Sequence, residues 1–408
     1  MKILALKKDE DRRIRAGHLW VFSNEIDIAK TSLKSFAPGE FANLQNSRGQ
    51  SLGTVYVNPA SLIAARLVSS HENNPLDAAL LRKRLEKALY LRQTLFEKPY
   101  YRLVHAESDL LPGLVIDRYD STFVAQITTA GIEGLKETLC EVMNELFPGL
   151  TLIFRNDTQS RAMENLTQEN DPLTQPNLLQ GSLPASLNLE ENGLLYTVPS
   201  QTGQKTGWFY DQRNNRKMAM QFAQGLAKNN NNLKVLDAFC YAGGFGVAAA
   251  AGGAKEVTFL DSSENALQLA AHNLQQNKFE HAPVFNCIQN DALNALENIR
   301  EEGSKFNLVC LDPPAFIKRK KDEEAGLAAY YRANELGLAL VEEGGFFITS
   351  SCSQHLDREA LRRILVKIAA RRKLGIQIIA QGRQGEDHPV HPAMPETEYL
   401  KTFFIRLV

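Results

Sequence analysis

Seven short apolar runs begin at about residue 233, most of them separated by stretches of helical period, and they constrain this chain more than any other feature. They read as strands at 233–239, 256–261, 282–288, 306–312, 345–351, 376–382 and 399–408. The helical stretches lie at 243–252, 263–277, 291–300, 324–342 and 357–372. Near-continuous apolar strands joined by amphipathic helices belong to a parallel sheet covered on both faces. Only a loop separates the last two runs, too little for a crossover helix, so they are expected to pair as an antiparallel hairpin at one edge.

Before this region the rhythm differs. Residues 1–73 alternate apolar runs with turn residues, as in a small β module. Residues 76–95 carry apolar side chains at helical spacing, so a connecting helix is expected. Residues 101–119 and 121–129, a helix over 132–146 and a strand at 151–157 make a mixed β–β–α–β unit. Residues 163–193 are polar and aperiodic, which reads as a loop or insertion. The divisions expected are 1–73, 74–198 and 199–408.

Residues 1–100 hold 16 Lys and Arg against 10 Asp and Glu, a local excess of +6 on a chain of net charge −1. A basic module on an acidic body suits a polyanion, although a solvated helix face such as 81–87 explains part of it. The five cysteines form an odd set without a CxxC pair. A disulfide framework and a metal site are therefore both poor readings, and a reducing cytoplasm is the expected compartment. No apolar run of 18 residues exists to span a membrane.

In open α/β sheets ligands sit beyond the carboxyl ends of the strands. The first strand ends in Asp237, followed by Phe239, Cys240, Tyr241 and Gly243, whose missing Cβ permits close approach. The second ends in Asp261, placed to accept from ribose hydroxyls, and the third leads to Asp291, placed to accept from an adenine amino group. These acids describe a nucleoside pocket, with helix capping as the plainer alternative for each. Residues 244–249 also match a loose dinucleotide fingerprint, which keeps a nicotinamide oxidoreductase open. A pyrophosphate would be repelled by Asp237, whereas a methionine ammonium would be attracted. S-adenosylmethionine (SAM) is the better reading.

The fourth strand delivers Asp312, Pro313, Pro314 and Phe316, a stiff exit with an aromatic face for a planar base. Lys318 opens a cationic run suited to a phosphate backbone. The fifth delivers Cys352. Carbon 5 of a pyrimidine is too weak a nucleophile to take a sulfonium methyl directly. Thiolate addition at carbon 6 places electron density on carbon 5 and divides one hard step into two. Methylation of a guanine nitrogen needs no thiol, so the cysteine discriminates between the two chemistries. Cys240, Cys287 and Cys310 lie in the cofactor loop or inside apolar strands, and Cys140 ends a helix, so none competes with Cys352. In the N-terminal module Trp20 and Phe22 share strand parity and are expected in the core. His105, Glu107 and Asp109 resemble an acid cluster whose turn setting points to structure rather than to a metal.

The alternating units that end in a hairpin resemble the class I SAM-dependent methyltransferase fold. More specifically, RIRAGHLWVFSNEI (13–26), HAESDLLPGLVIDRY (105–119), GQKTGWFYDQRNNR (203–216), LDAFCYAGGFG (236–246), LDPPAFIK (311–318), SSCSQH (350–355) and DHPVHPAMPETEYLK (387–401) resemble the ribosomal RNA large subunit methyltransferase I family over nearly the whole chain. The resemblance implies an N-terminal PUA domain that binds RNA, a small central α+β domain and a C-terminal Rossmann-like domain that binds SAM. It implies 5-methylcytosine formation in 23S rRNA with Cys352 as nucleophile and Asp312 at the base edge. Phe209, Asp211, Gln212 and Arg213 match the segment that closes over the cofactor, with Trp208 where members commonly carry Phe. The partner implied is 23S rRNA or a large-subunit assembly intermediate, with no membrane and with a homodimer left open. Family relatives that methylate a guanine nitrogen lack the cysteine. A non-catalytic RNA-binding protein is the remaining class.

Overall fold

Period-two alternation near the N-terminus becomes a five-stranded sheet in a computed structural model that describes residues 1–167, 184–200, 206–280 and 282–408. Its strand order is Lys2–Ala5, Glu40–Gln45, Ser51–Val57, Ala65–Ser69 and Trp20–Val21, the first pair parallel and the others antiparallel. Leu4, Leu6, Val21, Ile26, Leu44, Val55 and Val57 fill its core. Trp20 and Phe22 do not join them and stay half-buried. The Trp20 indole N–H donates to Glu107 at 2.9 Å, and the Arg13 guanidinium lies 4.9 Å from the Phe22 ring centre. An indole that needs an acceptor sits where one end is polar.

Helix Ala78–Leu95 starts at Asp77, whose carboxylate accepts the Leu80 N–H at 2.9 Å. It packs Leu81, Leu85 and Ala88 inward, together with a fully buried Arg92. A four-stranded sheet follows, in the order Tyr100–His105, Leu114–Tyr119, Thr122–Ile127 and Thr151–Phe154. The last strand runs parallel to its neighbour after helix Lys136–Leu146. This corrects the β–β–α–β reading. A 3-10 turn at Ala106–Asp109 and a left-handed Leu110 (φ 58°) divide 101–119 into two strands. Cys140 lies within that helix rather than at its end. Asp109 clamps the Arg92 guanidinium at 2.6 and 2.8 Å, Glu107 holds the Trp20 indole, and the His105 ring lies 4.9 Å from that of His388. The acids of this turn are thus engaged with protein partners.

The chain divides into two compact units. One comprises Met1–Leu187, Pro199–Trp208 and Glu386–Thr397; the other comprises Asn188–Val198, Phe209–Gly385 and Glu398–Val408. The second is built on strands β1 (Lys234–Ala238), β2 (Glu256–Asp261), β3 (Val284–Gln289), β4 (Phe306–Leu311), β5 (Val341–Ser351), β6 (Ile376–Gly382) and β7 (Lys401–Leu407). Their order is β3-β2-β1-β4-β5-β7-β6. The first five are parallel, and β7 runs antiparallel between β5 and β6. The helices are α1 (Arg213–Ala227), α2 (Gly244–Ala251), α3 (Glu264–Gln276), α4 (Ala292–Glu301), α5 (Glu323–Ala339) and α6 (Arg358–Arg372). Leu236, Val309, Leu311, Tyr330, Leu336, Phe347, Leu361 and Phe403 belong to one apolar cluster.

The loop expected over 163–193 is only part of what is there. Residues 168–183 lie outside the described residues, but Ser186–Glu191 is a strand paired with Leu194–Pro199. Leu187, Leu189, Leu194, Tyr196 and Val198 are buried at period two, and Asn192 and Gly193 turn with φ of 54° and 79°. Two left-handed residues in sequence make the tight turn whose twist suits a hairpin. Cys287 also departs from expectation. It is exposed, because β3 pairs with β2 alone and forms an edge of the sheet.

Arg92 and Asp109 form an ion pair with almost no exposure. Arg92→Met should cost about 3–5 kcal/mol, since it strands a buried carboxylate. Adding Asp109→Asn should recover part of that loss. Urea unfolding followed by tryptophan fluorescence checks both variants, and equal destabilisation in the two would contradict the charge argument.

Candidate active site

The parallel register sends the ends of β1, β2, β4 and β5 to one edge, so their exit loops share a crevice. After β1 the backbone enters the left-handed region at Phe239 (φ 59°), Tyr241 (φ 47°) and Gly243 (φ 75°). Non-glycine residues held there cost about 1–3 kcal/mol each and persist where surrounding structure over-determines them. Here the restraint is visible. The Tyr241 N–H donates to Asp261 Oδ2 at 3.0 Å, and the Phe209 ring meets that of Tyr241 edge-on at 5.6 Å. Gly246 packs so closely that a Cβ would fall 2.4 Å from the Phe259 ring.

Asp237 is buried at the end of β1 and accepts the Gly246 N–H at 2.7 Å. Burial raises its carboxyl to about 8, and the neighbouring charges of Asp312 and Asp261 raise it further against the pull of the Gly246 N–H. Asp237, Asp312 and Asp261 share this edge, and the Arg216 charge opposes their repulsion of the Asp237 carboxylate only in part. A cationic ligand relieves that repulsion and a pyrophosphate aggravates it. The donor and acceptor set therefore fits SAM, with its ammonium and sulfonium charges, rather than a dinucleotide.

Asp261 also accepts the Ser263 N–H through Oδ1 at 3.0 Å, and its carbonyl accepts the Asn290 N–H at 3.2 Å. The cap of α3 is Ser263, so Asp261 serves to tie two strand exits together. Asp291 is the cap of α4. Its Oδ1 accepts from Leu293 and Asn294, both at 3.1 Å, and the residue is exposed. Capping is thus realised at Asp291.

The segment before α1 is held from behind. Tyr399 Oη donates to Asp211 Oδ2 at 2.6 Å, while the Asp211 carbonyl accepts the Gly385 N–H at 3.0 Å. Gln212 Oε1 accepts from Asn215 at 2.5 Å, and the Arg213 guanidinium lies 5.3 Å from the Tyr210 ring. Arg216 clamps Glu191 at 2.6 and 2.9 Å and donates to the Phe209 carbonyl at 2.7 Å. The hairpin at 186–199 therefore supplies the carboxylate that orients Arg216 against Phe209. Residues 203–205 of the same motif lie outside the described residues.

Asp312 leaves β4 half-buried, followed by a buried Pro313 and an exposed Pro314. The half-buried Phe316 ring meets Phe239 at 6.3 Å and Tyr330 at 4.8 Å, both edge-on, while Lys318 is exposed. Cys352 is half-buried just past β5. Burial pushes the other thiols up, Cys140 to about 11 and Cys240 and Cys310 well above the usual range, with Cys287 raised as well. The Cys352 turn is tied down on several sides. Ser351 Oγ donates to Tyr330 Oη at 2.9 Å, and Ser353 Oγ donates to the Ile317 carbonyl at 2.7 Å. Tyr330 Oη also accepts the Phe316 N–H at 3.4 Å.

Sheet order, the strained glycine loop and the acid-lined crevice define a class I SAM-dependent methyltransferase. An independent likeness refines this. Residues 4–70 match the family model described as PUA-like domain, and residues 218–334 match the model described as Conserved hypothetical protein 95. Ribosomal RNA large subunit methyltransferase I of Aliivibrio fischeri is 34% identical over 99% of this chain and 98% of its own length. The protein of the same name from Yersinia pseudotuberculosis is 33% identical over 99% of both chains. SMU.776, solved in complex with SAH, shares the fold with a TM-score of 0.80 at 20% identity, covering 100% of each chain. The chain belongs to the ribosomal RNA large subunit methyltransferase I family. Among the described residues no helix is long and apolar enough to cross a membrane.

Tyr330, Tyr399, Arg216 and Lys401 escaped the sequence reading, although each braces a site segment. Their signal lies in long-range pairing, and only the Asn192-Gly193 turn offered a local clue to one of their partners.

Asp237 links the site to pH. Its carboxyl prefers to be neutral in the folded chain, so its contribution to stability falls as pH rises from about 4, the unfolded value, to about 8. In the absence of ligand, Asp237→Asn should remove that slope. Thermal midpoints from pH 5 to 9 should show the wild type losing ground to the variant until about pH 8, with parallel curves beyond. Parallel curves throughout would contradict the assignment.

Proposed function

We propose that this chain forms 5-methylcytosine in 23S rRNA, within the free RNA or a large-subunit assembly intermediate, with Cys352 as covalent nucleophile. The observation that carries the reading is the setting of that thiol. It is the half-buried cysteine at a strand exit beside Asp312, since β4 and β5 are parallel neighbours with Leu311 opposite Thr349. Tyr330 lies within electrostatic reach of both Cys352 and Asp312, which supports one shared site.

The Cys352 thiolate adds to carbon 6 of the cytosine, and the electron pair released from the 5,6 double bond makes carbon 5 nucleophilic. Bound SAM supplies an electrophilic methyl group. Asp312 orients the base edge or protonates it, so that the negative charge released into the ring is neutralised. Once carbon 5 carries the methyl group, a base (His355 or a water) takes its proton, and the electron pair of that C–H bond restores the double bond and expels the Cys352 thiolate. Phe316 packs against the base, and Lys318 meets the phosphate backbone. Asp237 receives the methionine ammonium, Asp261 the ribose hydroxyls, and Asp291 the adenine amino group through its remaining oxygen. Phe209, Tyr241 and Gly243 wall the cofactor, with Asp211, Gln212 and Arg213 building the segment behind it. The PUA-like module contributes RNA affinity. A reducing cytoplasm suits a catalytic thiol.

Cys352→Ala should lower kcat by about 10³-fold or more, and Asp312→Asn by about 10²-fold, with SAM affinity retained in both by calorimetry. Turnover is read as methyl incorporation into rRNA from a deletion strain, with the product nucleoside identified. Methylated guanine, or a Cys352→Ala enzyme within a few-fold of wild type, would replace this reading with nitrogen methylation.

A further inference from the structure

Lys401 opens β7, and the antiparallel register sets it opposite Ser351, the residue before Cys352. Only 7% of its surface is exposed. Its ammonium donates to the carbonyl of Ser353, on the other side of the cysteine, and to that of Tyr399 at 2.8 Å. Two of its donor bonds thus go to backbone carbonyls, and no carboxylate is bonded to it among the described residues. A buried ammonium without a bonded counter-charge is costly to keep. Burial lowers it to about 8, and Cys352 is the foremost group that opposes this shift.

The charged groups around the pair come from every adjoining element. Asp357 and Arg358 begin α6, and Glu398 precedes β7. Tyr330 on α5 is bonded to Ser351 of the same turn, and both Cys352 and Asp312 beyond β4 act electrostatically on Tyr330. The Lys401 ammonium is bonded into the cysteine turn itself. A cation beside a thiol favours the thiolate.

We infer that Lys401 is a positioning residue that holds Cys352 in its nucleophilic form, through an ammonium bonded to the carbonyl of the next residue. Its catalytic meaning rests on the reading of Cys352 as nucleophile; its effect on the thiol does not. A purely structural lysine would pin the turn without moving the titration of the sulfur.

The test is the pH dependence of iodoacetamide alkylation at the Cys352 peptide, resolved by mass spectrometry because other cysteines react. It uses full-length wild type, Lys401→Met and Lys401→Arg, with SAM binding by calorimetry as the check on folding. The wild-type midpoint should fall below the ordinary thiol value of about 8.5. Lys401→Met should raise it by about one pH unit, a tenfold loss of thiolate near neutrality, while Lys401→Arg keeps it within about 0.3 unit. The kcat of Lys401→Met on rRNA should drop near pH 7 and recover toward wild type as pH rises. A wild-type midpoint at or above the ordinary value overturns the inference even if Lys401→Met fails to fold. Coincident midpoints in wild type and Lys401→Met overturn it as well. An active Cys352→Ala enzyme would remove the nucleophile reading alone and leave the thiol shift standing.

Discussion

One phenolic oxygen holds the two halves of this site in register. Tyr330 Oη accepts the Phe316 N–H on one side and the Ser351 hydroxyl on the other, with its ring on the buried face of α5. The loop that carries Asp312 and Phe316 and the turn that carries Cys352 leave different strands. Their separation is set by this bridge and by the Ser353 bond to the Ile317 carbonyl. A base inserted between a hydrogen-bonding acid and a nucleophile requires both at a fixed spacing, and a misplacement of about 1 Å can cost two orders of magnitude in rate.

The same logic runs through the cofactor side. The loop after β1 is strained at Phe239 and Tyr241, and it is restrained by Asp261 and by the Phe209 ring. Asp237 sits beneath it as a buried acid among acids, a state that a cationic ligand stabilises. Stability is given up where a ligand restores it.

Much of the fold was legible because strand and helix periods are local. The limits read for β2 and β6 coincide with those observed, and α3 and α6 begin one residue from where the pattern set them. The rest depends on non-local pairing or on a turn signal set within a polar stretch. Nothing in residues 399–408 states that this strand inserts between β5 and β6. The hairpin at 186–199 was hidden by a polar composition, although its Asn192-Gly193 turn was in plain view. Cys287 looked internal because its strand is apolar, whereas only the sheet order reveals an edge.

Strand-end logic leads from the sequence to Asp237, Asp261, Asp312 and Cys352, and the structure puts each at or just beyond the end of a strand. Lys401 and Tyr330 were not legible in this way, since the β5–β7 register and the α5 packing that bring them to Cys352 are tertiary facts. The central claim is the covalent use of one sulfur, and trapping examines it most directly. Enzyme incubated with SAM and rRNA carrying 5-fluorocytidine should gain a stable RNA adduct, because fluorine at carbon 5 cannot leave as a proton does. After nuclease digestion, mass spectrometry should place the methylated fluoronucleotide on the Cys352 peptide. A fully methylated RNA with no adduct, or an adduct on another residue, would contradict the account.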